Sequence, residues 1–357
     1  MNGELGKAYL KDYIVKKQPL LEKYITSKLP EARQISPLNE EILNRFLEMA
    51  KLGKGIRGSL IVLGYKLSGG KDLDLILDTS IFVELFHTAV LIHDDFMDED
   101  DTRRGLPTMH KQFEEYGKKL AKVEPTHYGD SMSVGIGDMG LFMAFEKLAT
   151  ANFPREILLK AAHIYNQVII RVAYGQVMDI TNENIQQKSE ADILNVLRYK
   201  TSEYTGSMPL LVGATLAGET NAAKLEAMHK YGDSFGWAFQ IQDDTLGLYS
   251  KEEELGKPIG SDLREGKNTL FMLHLSKHGT AEQKEFQNRI MGNKHITELD
   301  VTKMQQILKD SGSYDHVIDL GWKYVEEGKK YIPQITKDKE QQDILESLLV
   351  YMMERTK

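Results

Sequence analysis

An all-α bundle, built as a single domain over residues 1–357 around a central cavity, is the fold this sequence predicts, and three observations predict it. Apolar residues recur at helical spacing: Ile157, Leu158, Ala161, Ala162, Ile164, Tyr165, Val168, Ile169 and Val172 form one series, and Ile344, Leu345, Leu348, Leu349 and Met352 another. Alternating strand patterns are scarce, and 9 prolines in 357 residues leave long segments without a helix breaker. The most distinctive acidic motifs lie on two helical segments far apart in the chain, which must meet if they share a site.

The elements follow in order. The opening MNGELGKAYLKDYIVKKQPLLEKY mixes charges into its apolar positions and lacks the uninterrupted apolar region of a signal peptide, so it reads as a first helix. Breaks fall at Ser68-Gly69-Gly70, in the polar run from Gly117 to Asp130, between Thr181 and Ser189, and at Gly292-Asn293-Lys294. Helix starts are signalled at Ser189 to Asp192, Ser250 to Glu253 and Thr280 to Gln283, each a capping residue followed three positions later by an acceptor. None of the breaks is long enough to separate domains. No run approaches the ~18 apolar residues expected of a membrane span; Met208 to Ala217 comes nearest and is too short.

Composition narrows the function. Hydrophobic residues make up 41% and charged residues 27%, as in ordinary globular proteins. With 45 basic and 53 acidic residues the net charge is -8, so no nucleic-acid partner is expected and phosphate binding must come from local basic clusters. The chain has no cysteine, hence no disulfide, thiolate nucleophile or zinc-thiolate site, and a cytoplasmic location is expected.

The first distinctive segment runs from Ile81 to His93, apolar around most of its circumference, and then opens into Asp94-Asp95-Phe96-Met97-Asp98. A helix of that kind is buried. Asp94 and Asp98 share one face and Asp95 stands about 100° round it. Carboxylates so close repel unless neutralised, and Mg²⁺ suits them because it takes oxygen ligands and shares its shell with substrate phosphates. A solvated acidic helix end is the plainer alternative, since Glu99, Asp100 and Asp101 continue the run.

A second segment, Gly232 to Gly247, repeats the plan as an apolar helix ending in Asp243-Asp244. Two such ends are most simply used together to hold one multi-metal diphosphate, because metals bridging phosphate oxygens stabilise a departing diphosphate. Cations accompany them: Arg103-Arg104-Gly105 follows the first cluster, and Gly53-Lys54-Gly55-Ile56-Arg57-Gly58 is a glycine-rich basic turn. Arginine suits bidentate phosphate contacts, and glycine lets backbone amides approach an anion.

In His93 to Gly105 and Phe239 to Asp244, with Gly175-Gln176-Val177-Met178-Asp179, Lys200-Thr201 and Gly256-Lys257-Pro258-Ile259-Gly260-Ser261-Asp262 in the same order, the chain resembles the trans-prenyl diphosphate synthases from about Lys54 to Lys267. Among them it is most similar to the short-chain geranylgeranyl diphosphate synthases. The resemblance implies an isoprenoid-synthase bundle with a deep cavity, a homodimer, and head-to-tail condensation of isopentenyl diphosphate with an allylic diphosphate. It also implies Mg²⁺ dependence with three ions per site, Mn²⁺ being able to replace them. Carried over to this chain, Asp94, Asp95, Asp98 and Asp243 hold the ions, with Asp244 in the outer shell. Arg103, Lys200 and Lys257 contact the allylic diphosphate, and Lys267 belongs with the substrate-binding residues. Lys54, Arg57, His87 and Arg104 bind isopentenyl diphosphate, while Thr201 and Gln240 sit beside the developing allylic cation. Gln176 and Asp179 serve either this network or a structural helix contact. His87, seven residues before Asp94, falls about 20° off its face, which permits a role in the site.

The chain departs from the family pattern where Gly55 stands for a second basic residue, Gly58 for a proline and Gly247 for a closing aspartate. Three rival readings follow. A class I terpene cyclase uses one diphosphate and has no need of Lys54, Arg57 and Arg104. An HD-type metal phosphohydrolase would extend His93-Asp94 with further histidines, whereas the matching cluster is aspartate. A catalytically silent partner of another synthase typically loses one cluster. For product length, the side chains before the first aspartate motif limit the tail in this family: Ala89 is small, Val90 adds little and Phe86 is the first aromatic reached. Geranylgeranyl diphosphate (C20) is therefore expected, with farnesyl or C25 to C30 products as alternatives.

Overall fold

A computed structural model describes residues 2–184, 189–250 and 259–356, and these are helical almost throughout, as the periodicity predicts. The sheet among the described residues is one hairpin, β1 (Thr102–Arg103) antiparallel to β2 (Leu106–Pro107). The chain forms two compact units.

The first unit comprises Ala8–Ala162 and Gly213–Gly218. It holds α1 (Glu4–Thr26) from Ala8 onward, α2 (Leu29–Ile35), α3 (Pro37–Lys51), α4 (Ile56–Leu67), α5 (Leu73–Met97), α6 (Met109–Gly117) and α7 (Pro125–Ala149). The opening segment is thus the first helix, as predicted. The polar run from Gly117 is a break for only half its length: Glu124 caps α7 by accepting the N–H groups of Thr126 and His127, and Pro125 fits the first helical position, where no N–H is needed.

The core of this unit is α5, started by Asp72 accepting the Leu75 N–H. It is long and apolar enough to cross a membrane, which the charges dispersed along it concealed at the sequence level, yet 67% of its most apolar stretch is buried inside the protein. Isolated Asp78 and Glu84 explain why no uninterrupted run appears: Asp78 pairs with Lys147 at 2.6 Å and Glu84 is buried. Against α5 lies α7, whose small residues permit close packing. A Cβ on Gly137 would stand 2.1 Å from His93 Nε2, and one on Gly140 would stand 2.8 Å from the Ala89 Cβ.

The second unit comprises Met1–Lys7, His163–Val212 and Glu219–Lys357. It holds most of α8 (Arg155–Asn184), α9 (Glu190–Val196), a π-helical segment (Leu197–Ser207), the start of α10 (Met208–Leu216) and α11 (Ala222–Tyr249). After Ile259 come α12 (Ser261–Glu265), α13 (Leu270–His278), α14 (Ala281–Ile290), α15 (Glu298–Asp310), α16 (Ser313–Lys329), α17 (Ile332–Ile335) and α18 (Lys339–Glu354). The predicted capping boxes at Ser189/Asp192 and Thr280/Gln283 form. Ser250 instead closes α11, its N–H bonded to the Leu246 carbonyl, and the remainder of that predicted start lies outside the described residues. The π segment crosses α11 so closely that a Cβ on Gly206 would meet the Gly232 carbonyl oxygen at 1.9 Å.

Candidate active site

In the first unit, α5 ends at Met97 and Asp98 caps it, donating its N–H to the Asp94 carbonyl at 2.8 Å. Helical phase then separates the three carboxylates as expected: Asp95 turns inward and is fully buried, while Asp94 and Asp98 are half-buried. The chain reverses through the hairpin, where Arg104 and Gly105 take φ of 53° and 78°, the left-handed pair that a two-residue turn requires. That reversal brings Arg103 back onto the carboxylates. Its Nε is bonded to Asp95, and its Nη2 lies 3.5 Å from Asp94 and 3.4 Å from Asp100.

Asp100 is therefore part of the cluster. The sequence offered it as a surface charge, but it is buried, whereas Asp101 is exposed and paired with Lys111 at 3.1 Å. Burial pushes the Asp95 carboxyl up to about 7 despite Arg103, with Asp94 and Asp100 adding to the push. Its Oδ2 is buried with no hydrogen-bond partner among the described residues. A carboxyl in that state is short of positive charge.

The basic turn lies in the same unit. Lys54 is exposed and Arg57 buried, and Arg57 Nη1 donates to His87 Nε2 at 3.2 Å. Burial, then the charges of Arg57, Arg104, Arg103 and Lys17, hold the His87 imidazole well below its usual pKa, so it is a neutral acceptor. Arg104 donates to the Met49 carbonyl at 3.4 Å; burial first and then Arg103 lower it to about 10, and it remains charged at neutral pH. A histidine kept neutral by folding supports stability above its unfolded pKa and withdraws that support as pH falls. Relative to His87→Gln, the wild type should lose up to about 1.4 kcal/mol per pH unit below roughly 6.5 in urea melts between pH 5 and 8. A constant difference across that range would show that His87 takes up its proton in the folded state.

The chain-length candidates are also on α5. Phe86 and Ala89 are buried and Val90 half-buried. Ala89 packs against α7 beside Gly140, with the Phe46 ring next to the same glycine. A bulkier residue at 89 would therefore meet protein before it met a tail, which makes Phe86 the cleaner position to vary. His93 faces α7 through the Val134 carbonyl at 3.2 Å and Asp138 at 3.6 Å, which gives no support to an HD-type centre.

In the second unit α11 does not end at the carboxylate pair, as the sequence suggested, but runs on to Tyr249, so Asp243 and Asp244 lie in its last two turns. Asp243 is exposed, and its Oδ1 accepts from Arg355 Nη2 at 3.0 Å; the same guanidinium donates to the Phe239 carbonyl at 3.0 Å. Asp244 faces inward: Gln240 donates to its Oδ1 at 2.7 Å, and its buried Oδ2 has no hydrogen-bond partner among the described residues. Burial, then Asp262, Asp243 and Asp179, push the Asp244 carboxyl well above its ordinary range. Lys200 lies on the π segment and pairs with Asp179 of α8 at 2.6 Å, while Thr201 beside it is half-buried. Wide π turns occur frequently at functional sites.

Lys267 pairs with Glu265 at 2.6 Å. Lys257 lies outside the described residues. Where the family's closing aspartate would stand, a Cβ on Gly247 would come 3.1 Å from Asp262 Oδ2, so a carboxylate already occupies that space. Asp262 closes the Gly256–Asp262 motif with no role evident from the sequence, and nothing in the sequence marks Arg355.

Among the described residues, no three carboxylate or imidazole groups converge tightly enough to hold an ion by themselves. The two orphaned oxygens on Asp95 and Asp244 nevertheless suit hard, oxygen-seeking cations, whose remaining positions would fall to water and phosphate.

Comparison with known proteins shows the family. The polyprenyl synthetase family matches residues 39–308. A short chain isoprenyl diphosphate synthase of Methanocaldococcus jannaschii is 35% identical over 73% of this chain and 74% of its own. A geranylgeranyl diphosphate synthase of Sulfolobus acidocaldarius is 29% identical over 98% of this chain and 97% of its own. Among solved structures, a geranylgeranyl pyrophosphate synthase from Corynebacterium glutamicum, complexed with isoprenyl diphosphate and magnesium, superposes with a TM-score of 0.91 at 28% identity, covering 97% of this chain and 99% of that one. With most of its length matched and its motifs in order, this chain belongs to the polyprenyl synthetase family, the trans-prenyl diphosphate synthases, and is a prenyltransferase that elongates prenyl diphosphates.

Proposed function

We propose that the protein condenses isopentenyl diphosphate head to tail with allylic diphosphates in a Mg²⁺-dependent reaction and releases geranylgeranyl diphosphate. The observation that carries this reading is a carboxylate pair near the end of each of two apolar helices, Asp94 with Asp95 and Asp243 with Asp244, in which the second member is buried and one of its oxygens has no hydrogen-bond partner among the described residues. Asp94, Asp95, Asp98 and Asp243 would hold three Mg²⁺ ions, with Asp244 behind them; Mn²⁺ has the same preference for oxygen and should substitute. Ions bound there would supply charge neutralisation that lets the allylic diphosphate depart.

The chain's own residues supply the rest. Arg103, Lys200, Lys257 and Lys267 bind diphosphate oxygens, and Arg103 would shift from its carboxylates toward them. Lys54, Arg57 and Arg104 hold the second diphosphate, with neutral His87 orienting Arg57. The hydroxyl of Thr201 and the amide of Gln240 present dipoles to the allylic carbon as charge develops. The double bond of isopentenyl diphosphate then attacks, and a proton leaves the adduct. Apolar walls along α5 and α11 keep water from the cation.

The same reading makes residues 1–357 one working domain, since the matched region draws on both units. It carries a cytoplasmic homodimer as well. The support for self-association is an exposed apolar face in each unit: Val134, Phe142 and Phe145 on α7, and Ile170, Tyr174 and Val177 on α8.

Incubation with isopentenyl diphosphate and dimethylallyl, geranyl or farnesyl diphosphate, with and without Mg²⁺, tests the reading by product chain length. C20 is the expected end point, and Phe86→Ala should lengthen it. Farnesyl or C25 to C30 chains from the wild type would refute the product assignment. Turnover of an allylic diphosphate without consumption of isopentenyl diphosphate would indicate a cyclase and overturn the reaction itself.

A further inference from the structure

The glycine-rich basic turn rests on a buried polar platform. Lys17 of α1 and Glu84 of α5 form an ion pair at 2.8 Å, their side chains 0% and 3% exposed. The other Glu84 oxygen, Oε1, accepts the backbone N–H of Gly58 at 2.9 Å, and Lys17 Nζ also lies 3.5 Å from the Ala50 carbonyl. Tyr13, one helical turn before Lys17, closes the other side: a Cβ on Gly58 would stand 1.8 Å from its hydroxyl, which meets Ser80 Oγ at 2.9 Å. A Cβ on Gly53 would stand 3.0 Å from Lys17 Nζ. Both ends of the turn are therefore seated on this pair. A proline at position 58 would have no N–H to give Glu84.

Stability alone does not account for the arrangement, because replacing a buried ion pair with apolar residues of similar volume is often neutral or stabilising. Glu84 is nevertheless held below the ordinary carboxylate range: burial opposes this, but Lys17, the Gly58 N–H and Arg57 outweigh it. The charge pair is thus retained, and its effect is to fix one backbone amide next to the residue that carries the Arg57 guanidinium.

We infer that Lys17 and Glu84 are positioning residues for isopentenyl diphosphate, setting the Gly53–Gly58 turn so that Lys54 and Arg57 present their charges at a fixed spacing. This rests on the assignment of Lys54 and Arg57 to that substrate. The test is steady-state kinetics of K17M/E84M, in which the pair is neutral and apolar, with E84D as a second variant whose shorter carboxylate cannot reach both Lys17 and Gly58. In each, the KM for isopentenyl diphosphate should rise about tenfold, the equivalent of one hydrogen bond to a charged group, while the KM for the allylic substrate and kcat stay within about twofold. An unchanged KM for isopentenyl diphosphate in either folded variant, or an equal rise in both constants, overturns the inference. If the wild type itself shows no saturation with isopentenyl diphosphate, it is the assignment of Lys54 and Arg57 that fails.

Discussion

Asp94→Asn and Asp243→Asn are each expected to lower turnover by roughly 10² to 10³, the usual loss when one electrostatic stabiliser of a transition state is removed. Asparagine matches aspartate in shape but brings no negative charge, so it cannot neutralise a divalent cation. The surroundings should survive the change. Asp94 is only 3.5 Å from Arg103, which keeps Asp95 and Asp100, and a carboxamide at position 243 would retain an oxygen for Arg355, now 3.0 Å from Asp243. Thermal melts should accordingly stay near wild type while activity collapses, and chelation of divalent metal should abolish turnover in the parent enzyme. Near-wild-type rates in both variants, or activity that persists in chelator, would remove both carboxylate clusters from the reaction.

The second large effect is on the scaffold. Gly206→Val should lower the melting temperature by about 5 °C or more, because the new Cβ would fall 1.9 Å from the Gly232 oxygen and 3.1 Å from the Gly236 nitrogen. Those obstacles are backbone, so no rotamer change relieves them. The π segment and α11 must separate, and the segment carrying Lys200 and Thr201 moves with them. Turnover should therefore fall at temperatures where the variant is still folded. A melt and a rate both unchanged would mean that the crossing adjusts more freely than its spacing suggests.

Much of this was legible in the sequence. Helical periodicity gave the fold class, and the capping boxes at Ser189 and Thr280 form where the pattern placed them. The aspartate and arginine motifs stood out because they follow apolar helical runs. Other features were hidden for physical reasons. Asp100 looked like its neighbours Glu99 and Asp101, and only the hairpin at Arg104-Gly105 folds Arg103 back to bury it. Lys17 sits among the charges of an amphipathic helix with nothing local to mark it as fully buried, since its partner is 67 residues away. Arg355 reaches Asp243 across 112 residues. Such pairings are set by tertiary packing, to which a reading of periodicity and spacing has no access. Ala89 shows the converse: its size was plain, but the neighbour it faces was not.

The burial of α5 also bears on how the chain is made. Its covering helix α7 ends at Ala149, which is 149 minus 97, or 52, residues after α5 is complete at Met97. At ~5 to 20 residues per second, a ribosome takes about 3 to 10 s to cover that distance. For that interval a helix of membrane-spanning length and apolarity leaves the exit tunnel with its α7 face bare. During synthesis α5 therefore carries an uncovered apolar face until α7 docks, an exposure that the stability of the finished enzyme does not reveal.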